Sequence, residues 1–171
     1  MTYAQRLFLR PVRHADAAGP YLHWMNNPDV VKYTESRFRS YSEEQLRQYI
    51  AATNRNPDLV FRAIALRHSG RHIGNIKLGP IDRNHGFGDV GILLGATDCW
   101  GHGYATESIE LLAEEARSSS ALHKLTAGCY AEHTAAIRAF EKAGFQREGI
   151  RPSQYRFEGR YVDLVYLGRL L

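Results

Sequence analysis

An α+β domain with a mixed sheet is the fold this sequence predicts, and two observations predict it. Segments that alternate apolar and polar residues are interleaved with segments whose apolar residues recur every three or four positions. Their order runs strand, two or three helices, three strands, helix, strand, helix, two strands. The strand-helix-strand unit in that order is expected to cross over in the right-handed sense.

Leu7-Phe8-Leu9-Arg10-Pro11-Val12 opens the series as a strand whose proline suits a strand end or a sheet edge. From His14 to Met25, the residues Ala15, Ala18, Tyr21, Leu22 and Met25 mark one short amphipathic helix, ended by Asn26-Asn27-Pro28-Asp29. A second helical piece lies near Asp29 to Tyr33. Ser42 then caps a helix running to about Thr53, with Gln45 at the capping-box position and Leu46, Tyr49 and Ile50 as its buried face. An antiparallel meander follows: Leu59 to Leu66, a Ser69-Gly70 turn, Arg71 to Leu78, a polar loop from Asp82 to Gly86, and Asp89 to Leu94. Ala105, Ile109, Leu112, Ala113 and Ala116 place Gly103 to Ser118 in a helix, and Lys124 to Tyr130 alternates as a strand. Thr134 to Ala143 is helical again, closed by Gly144. Phe145 to Leu170 supplies two strands joined near Glu158-Gly159.

No linker, repeat or low-complexity segment divides the 171 residues, so residues 1–171 are expected to form a single domain. The formal charge of +4 favours an anionic ligand. Lys and Arg are nevertheless scattered among Asp and Glu, with no basic run interleaved with aromatics, so nucleic acid is not the expected partner. The apolar run near Met1 is only a few residues long and nothing approaches the ~18 residues of a membrane span, so a soluble cytoplasmic protein without a membrane partner is expected. Cys99 and Cys129 are too far apart for a CxxC motif and too few for a disulfide framework, which suggests a reducing compartment. His23, His85 and His123 have no partners at ligand spacing, so no metal is expected.

The chemistry concentrates in two segments. In the first, the strand Val90-Gly91-Ile92-Leu93-Leu94 runs through Gly95-Ala96-Thr97-Asp98-Cys99 into Trp100-Gly101-His102-Gly103-Tyr104-Ala105-Thr106-Glu107. Glycines without a Cβ let backbone amides approach a pyrophosphate, and a helix beginning near Gly103 aims free N–H groups and a positive dipole end at it. Two glycines shaping a tight turn are the alternative, and position 106 is Thr, so this is no dinucleotide GxGxxG. The second segment, Glu132-His133-Thr134-Ala135-Ala136-Ile137-Arg138-Ala139-Phe140-Glu141-Lys142-Ala143-Gly144-Phe145, reads by itself as an amphipathic helix with a glycine stop.

Together the two segments resemble the GNAT N-acetyltransferase superfamily. Trp100 to Glu107 looks like the family's motif A, Gln/Arg-x-x-Gly-x-Gly/Ala, and Phe140 to Phe145 looks like its motif B. Leu9-Arg10-Pro11-Val12 and His23-Trp24-Met25-Asn26-Asn27-Pro28 resemble the branch holding ribosomal-protein N-terminal and amino-sugar acetyltransferases. The resemblance implies a mostly antiparallel central sheet with helices on both faces, splayed between the fourth and fifth strands. Acetyl-coenzyme A would lie in that cleft as co-substrate, its pantetheine arm paired with backbone of Ile92, Leu93 and Leu94. A backbone N–H near Leu93 would serve as oxyanion donor. Amides of Gly101, His102, Gly103, Tyr104 and Ala105 would hold the pyrophosphate, and Thr106, His133, Phe140 and Lys142 complete the implied coenzyme-binding set. Three departures stand out. Asp98 replaces the usual Gln or Arg and puts a negative charge near phosphates, which a protonated His102 would partly offset. His133 replaces a common Asn. Phe140 replaces the tyrosine that in many members protonates the leaving thiolate, and phenylalanine donates no proton.

The implied reaction is direct acetyl transfer to a primary amine without a covalent intermediate, so Cys99 and Cys129 are not needed as nucleophiles. A lysine-like amine, pKa ~10, must first lose a proton, whereas a thiolate of pKa ~8.5 leaves with less help. Glu35 is the first candidate base, with a solvated loop glutamate as the alternative reading. His133 is the second, with capping of the next helix as its alternative. Tyr130 is the candidate acid, or a packed strand-end residue. Trp24, Arg37 and Tyr155 are candidate acceptor-binding residues, each with a structural alternative. The acceptor is expected to be a small molecule such as an amino sugar or nucleotide amino sugar. N-terminal acetylation of a ribosomal or other protein is the alternative, and a non-catalytic acyl-coenzyme A sensor, suggested by Phe140 and Asp98, is the third. Monomer and homodimer both remain open.

Overall fold

Seven strands form one sheet in the order β1-β2-β3-β4-β5-β7-β6, and five α-helices join them. The computed structural model describes residues 6–119 and 122–171, so the expectation drawn from Met1 to Gln5 lies outside the described residues. The strands are β1 (Leu7–Pro11), β2 (Val60–Leu66), β3 (His72–Asp82), β4 (Phe87–Leu94), β5 (Lys124–Tyr130), β6 (Gln146–Phe157) and β7 (Arg160–Leu170). The helices are α1 (Pro20–Met25), α2 (Pro28–Val31), α3 (Glu43–Arg55), α4 (Tyr104–Ser119) and α5 (Thr134–Lys142). Every neighbouring pair is antiparallel except β4 and β5, which are joined through α4 and lie parallel. Among the described residues no helix is long and apolar enough to cross a membrane.

Strand β2 shows why helices cover both faces. Phe61 packs its ring on Tyr21 of α1 at 6.5 Å and on Tyr49 of α3 at 5.7 Å. Its neighbour Arg62 reaches Glu115 of α4. Successive strand residues point to opposite faces, so α1 and α3 lie on one side of the sheet and α4 on the other. The apolar cluster between these layers draws on all seven strands except β6, which is exposed over nearly its whole length.

Two expectations need correction. The single helix from His14 to Met25 is two pieces, a 3-10 turn over His14–Ala18 and then α1, because Pro20 lacks the N–H that would continue the first. On α3 the predicted capping box is present, with Ser42 accepting from the Gln45 N–H and Gln45 from the Ser42 N–H. Its buried face is Leu46, Ile50 and Thr53, whereas Tyr49 stays 40% exposed with only an edge against Phe61.

Candidate functional site

The parallel pair β4 and β5 is in register only over Phe87–Asp89 against Lys124–Thr126. Beyond that point β4 continues on β3 alone and β5 on β7 alone, so the sheet opens into a V. At its apex Thr126 Oγ1 donates to Asp89 Oδ1 across 2.9 Å. Although solvent reaches Asp89, the walls of the V dehydrate it. Its carboxyl is held above the ordinary range by that burial, with the Thr126 hydroxyl opposing the shift. Sequence reasoning passed over Asp89; the signal was a carboxylate inside an otherwise apolar strand.

The open edge of β4 follows from its ladder. The Gly95 N–H donates to Ile73 O at 2.9 Å, which marks a hydrogen-bonded rung between β3 and β4. In an antiparallel pair such rungs alternate, so the N–H and C=O of Leu93 and Gly91 face β3 while those of Ile92 and Leu94 face the V. Near Leu93, where an oxyanion N–H is expected, the amide of Leu93 itself points into the sheet and the amides of Ile92 and Leu94 point into the cleft. The Leu94 carbonyl already accepts from the Trp100 indole at 2.8 Å, which ties the loop after β4 to the strand end.

That loop leads to a cradle at the start of α4. Gly101 and Gly103 sit at φ of +78° and +80°, a conformation that penalises a Cβ, and nothing lies within 4 Å of where a Cβ on Gly101 would be. The cradle fits a pyrophosphate by that open space and by the free amides of the first turn. Glu107 fixes its position, accepting from the Arg6 and Leu7 amides at 2.6 and 3.0 Å and from Arg6 Nε at 2.9 Å. Arg6 also lies 4.6 Å over the Tyr104 ring and donates to His102 O. Ala105 packs on the core, and Thr106 donates to Ala139 O of α5 at 3.4 Å.

The charge of Asp98 is matched mainly by Arg71, with His102 a minor contributor. Arg71, just before β3, binds both Asp98 oxygens at 2.7 and 2.8 Å, and that pairing holds the carboxyl below its ordinary range. His102 instead places Nδ1 2.8 Å from Trp100 O. Phe140 is buried against Phe145 at 5.0 Å. Lys142 opens on a surface depression beside Glu110 and Glu114, about 9 to 15 Å along α4 from its N-terminus.

On the other side of the V the acceptor candidates meet. Glu35 opens the 3-10 turn Glu35–Phe38, and Tyr130, at the end of β5, donates its hydroxyl to Glu35 Oε1 at 3.4 Å. The Tyr130 ring stacks on Tyr155 at 4.7 Å and packs against Tyr33 and Phe157 at 5.8 Å each. Burial raises the Tyr130 hydroxyl against the opposing charge of Arg37. Arg37 lies 5.0 Å over the Tyr130 ring and donates to the carbonyls of Lys32 and Arg156 at 3.1 and 2.7 Å. His133 stacks on Tyr33 at 4.4 Å; it precedes α5, but its side chain makes no capping bond, and burial lowers its pKa. The sequence candidates Glu35, Arg37, Tyr130, His133 and Tyr155 thus form one cluster. Trp24 stands apart from it: the indole is 5% exposed, packs edge-on to His72, and fills the space over Gly95, so it is a core residue beneath the end of β4.

Both cysteines are buried, Cys129 deeply enough that its thiol is pushed up to about 12, and that of Cys99 is also raised by burial. Among the described residues no group of three or more His, Cys, Asp and Glu is placed to hold a metal ion.

Known proteins share this fold. The pattern of the acetyltransferase (GNAT) domain matches residues 6–146. An uncharacterised N-acetyltransferase p20 of Bacillus licheniformis is 30% identical over 176 aligned positions, covering 99% of this chain and 94% of that protein. Among solved structures, spermidine N-acetyltransferase from Vibrio cholerae, in complex with coenzyme A and spermine, superposes with a TM-score of 0.86 at 22% identity, over 96% of this chain and 95% of that one. A ribosomal L7/L12 alpha-N-protein acetyltransferase in complex with coenzyme A superposes at 0.87 with 16% identity, over 98% and 96%. With a family pattern spanning most of its length laid over an open β4/β5 edge and a glycine cradle, this chain belongs to the GNAT family of N-acetyltransferases.

Proposed function

We propose that this acetyltransferase moves the acetyl group of acetyl-coenzyme A directly to the primary amine of a small molecule such as an amino sugar or nucleotide amino sugar. The observation that carries the reading is the Glu35–Tyr130 contact, which sets a carboxylate beside the open V. Acetyl-coenzyme A is the donor substrate. The outward amides of Ile92 and Leu94 suit the thioester carbonyl and pantetheine arm, and the cradle from Gly101 to Ala105 suits the pyrophosphate.

Glu35 accepts the ammonium proton of the acceptor, the neutral nitrogen attacks the thioester carbon, and the C–S bond breaks to release coenzyme A as a thiolate whose own pKa, ~8.5, lets it depart without a strong acid; the second proton, shed by the acylated nitrogen, passes to that thiolate. Tyr130 orients the Glu35 carboxylate by its hydroxyl bond, and Tyr155 braces the Tyr130 ring. Cys99 and Cys129 take no part: buried thiols with raised pKa values hold little thiolate at neutral pH, which supports transfer without an acyl-enzyme. His133, lowered by burial, is neutral at pH 7 and lines the same pocket.

The test is coenzyme A release measured as free thiol, with amino sugars, nucleotide amino sugars, polyamines and peptides bearing free N-termini as acceptors, and acetyl-coenzyme A binding followed by calorimetry. Turnover of an amino sugar with no turnover of peptides supports the reading. Turnover of peptides alone replaces it with protein N-terminal acetylation, and tight coenzyme binding without any turnover replaces it with a sensor.

A further inference from the structure

The glycines along β4 differ in what the fold asks of them. A Cβ on Gly88 would lie 2.7 Å from Leu78 Cδ1, and one on Gly95 would strike the Trp24 ring. Around the same point on Gly91 nothing lies within 4 Å. Gly128 on β5 is similar: the nearest atom to its Cβ position is Leu164 Cδ1 at 3.5 Å, an ordinary contact. Gly91 and Gly128 are exposed, and neither takes a positive φ. Glycine weakens a strand interior, because it costs backbone entropy on folding and packs nothing. Where the fold does not require it, close approach of a ligand does.

The two glycines face each other across the cleft. Asp89 and Thr126 form the last rung shared by β4 and β5, and Gly91 and Gly128 each come two residues further on. Successive side chains alternate between faces, so both glycines belong to the face that carries Asp89, Thr126 and Tyr130. Register leads from Gly91 through Lys77 to Phe61, which packs against α1 and α3. On the opposite face Val90, Leu125, Ala127 and Cys129 are buried in the apolar core. Just past its apex the V is therefore closed on the α4 side and bare on the side of Glu35 and Tyr130. A pantetheine arm paired with the outward edge of β4 lies in the plane of the sheet. The amine then reaches the thioester from the bare side, between Gly91 and Gly128.

Resting on the acetyl-transfer reading above, we infer that Gly91 and Gly128 are specificity-determining residues, forming a gap that admits an amine carried on a branched carbon. A nitrogen on a methylene has one heavy substituent behind it, whereas a nitrogen on a ring carbon has two, one to either side. A bare position on each wall of the V matches the second shape. The acceptor class is an amine attached directly to a ring or other secondary carbon, as in an amino sugar whose nitrogen sits on the ring.

The experiment uses Gly91→Ala, Gly128→Ala and the double variant with two matched pairs of acceptors. These are glucosamine with 6-amino-6-deoxyglucose, and cyclohexylamine with aminomethylcyclohexane. Amine binding is measured by calorimetry on enzyme saturated with coenzyme A, and turnover by thiol release from acetyl-coenzyme A. The parent is expected to prefer the ring amine of at least one pair by about tenfold or more, and the double variant to bring that preference near unity. Each added Cβ meets no clash, so the melting temperature is expected to stay level or rise. The Cβ stands out of the sheet plane, so the Kd for acetyl-coenzyme A is expected to stay close to that of the parent. A lower melting temperature would mean that the glycines serve the fold, and a weaker grip on acetyl-coenzyme A that they make room for the arm. Either overturns the inference, as does a ring-amine preference that is absent from the parent or survives the double variant. Discrimination in binding without thiol release from any acceptor sinks the acetyl-transfer reading alone, and thiol release without discrimination sinks this inference alone.

Discussion

Tyr130 donates its hydroxyl to the Glu35 carboxylate from the far end of β5, 95 residues away in sequence. A carboxylate in an exposed turn is thereby tied to the end of β5. Replacing Glu35 by Gln removes the proton acceptor with little change in shape and is expected to lower kcat by about 10²-fold while leaving the KM for acetyl-coenzyme A near its original value. Tyr130→Phe removes only the orienting bond and is expected to cost less, within about tenfold. Steady-state thiol release at saturating coenzyme checks both, and an unchanged kcat in the Gln variant removes Glu35 as base.

Asp98 occupies a position where its charge would repel phosphates were it not held by Arg71. Arg71→Ala frees that charge beside the cradle and is expected to raise the Kd for acetyl-coenzyme A by roughly tenfold. Adding Asp98→Asn to the same protein should restore most of the affinity, since the offending charge is gone. Calorimetry on the single and double variants reads the coupling directly; two independent, additive losses would show that the pair does not act on the phosphates.

Gly95 ends β4 with its missing side chain filled by an indole: a Cβ there would lie 2.0 Å from Trp24 Cδ2. Gly95→Ala forces the ring or the strand end to move, at a cost of about 1–3 kcal/mol. A fall in Tm of roughly 2–10 °C is expected by calorimetry. A weaker grip on acetyl-coenzyme A should accompany it, because the Leu94 carbonyl and the Trp100 loop hang from the same strand end.

The apex of the cleft has a pH signature. Burial holds the Asp89 carboxyl above its ordinary range, so the folded protein binds that proton more tightly than the unfolded chain does. The accompanying stabilisation is complete below the unfolded value of 3.8 and is lost as pH rises through the folded value. Asp89→Asn keeps the shape without the charge. Its Tm at pH 7 is expected to exceed that of the parent by on the order of 1 °C, with the gap closing by pH 3. A gap of the same size at both pH values would mean that the effect is packing, not ionisation.

Local chemistry sufficed for much of this protein. Alternation marked β5 and three-to-four spacing marked the long helices, since an element that buries one face must show the period of that face, while strand-forming residues and turn signals marked the other strands. Ser42 with Gln45, and Gly144 at a φ of +86°, are likewise decided by neighbours within a few residues. The glycine cradle was legible for the same reason: Gly101 and Gly103 act through their own backbone. Other features depend on partners far away in sequence. Which β4 amides face the cleft is settled by the rung from Gly95 to Ile73, which turns Leu93 into the sheet and Ile92 and Leu94 outward. Arg71 adds the main answer to the Asp98 charge, beyond His102, because the turn before β3 folds against the loop after β4. Trp24 reads in sequence as either a pocket residue or a structural one, and its place in the core is decided only by the tertiary structure, which brings Gly95 beneath its ring. The union of Glu35, Tyr130, Arg37 and Tyr155 likewise exists only once β5, β6 and the turn after α2 are packed together. Side-chain chemistry is carried by single residues, whereas a site is a set of distances, and those distances come from the sheet.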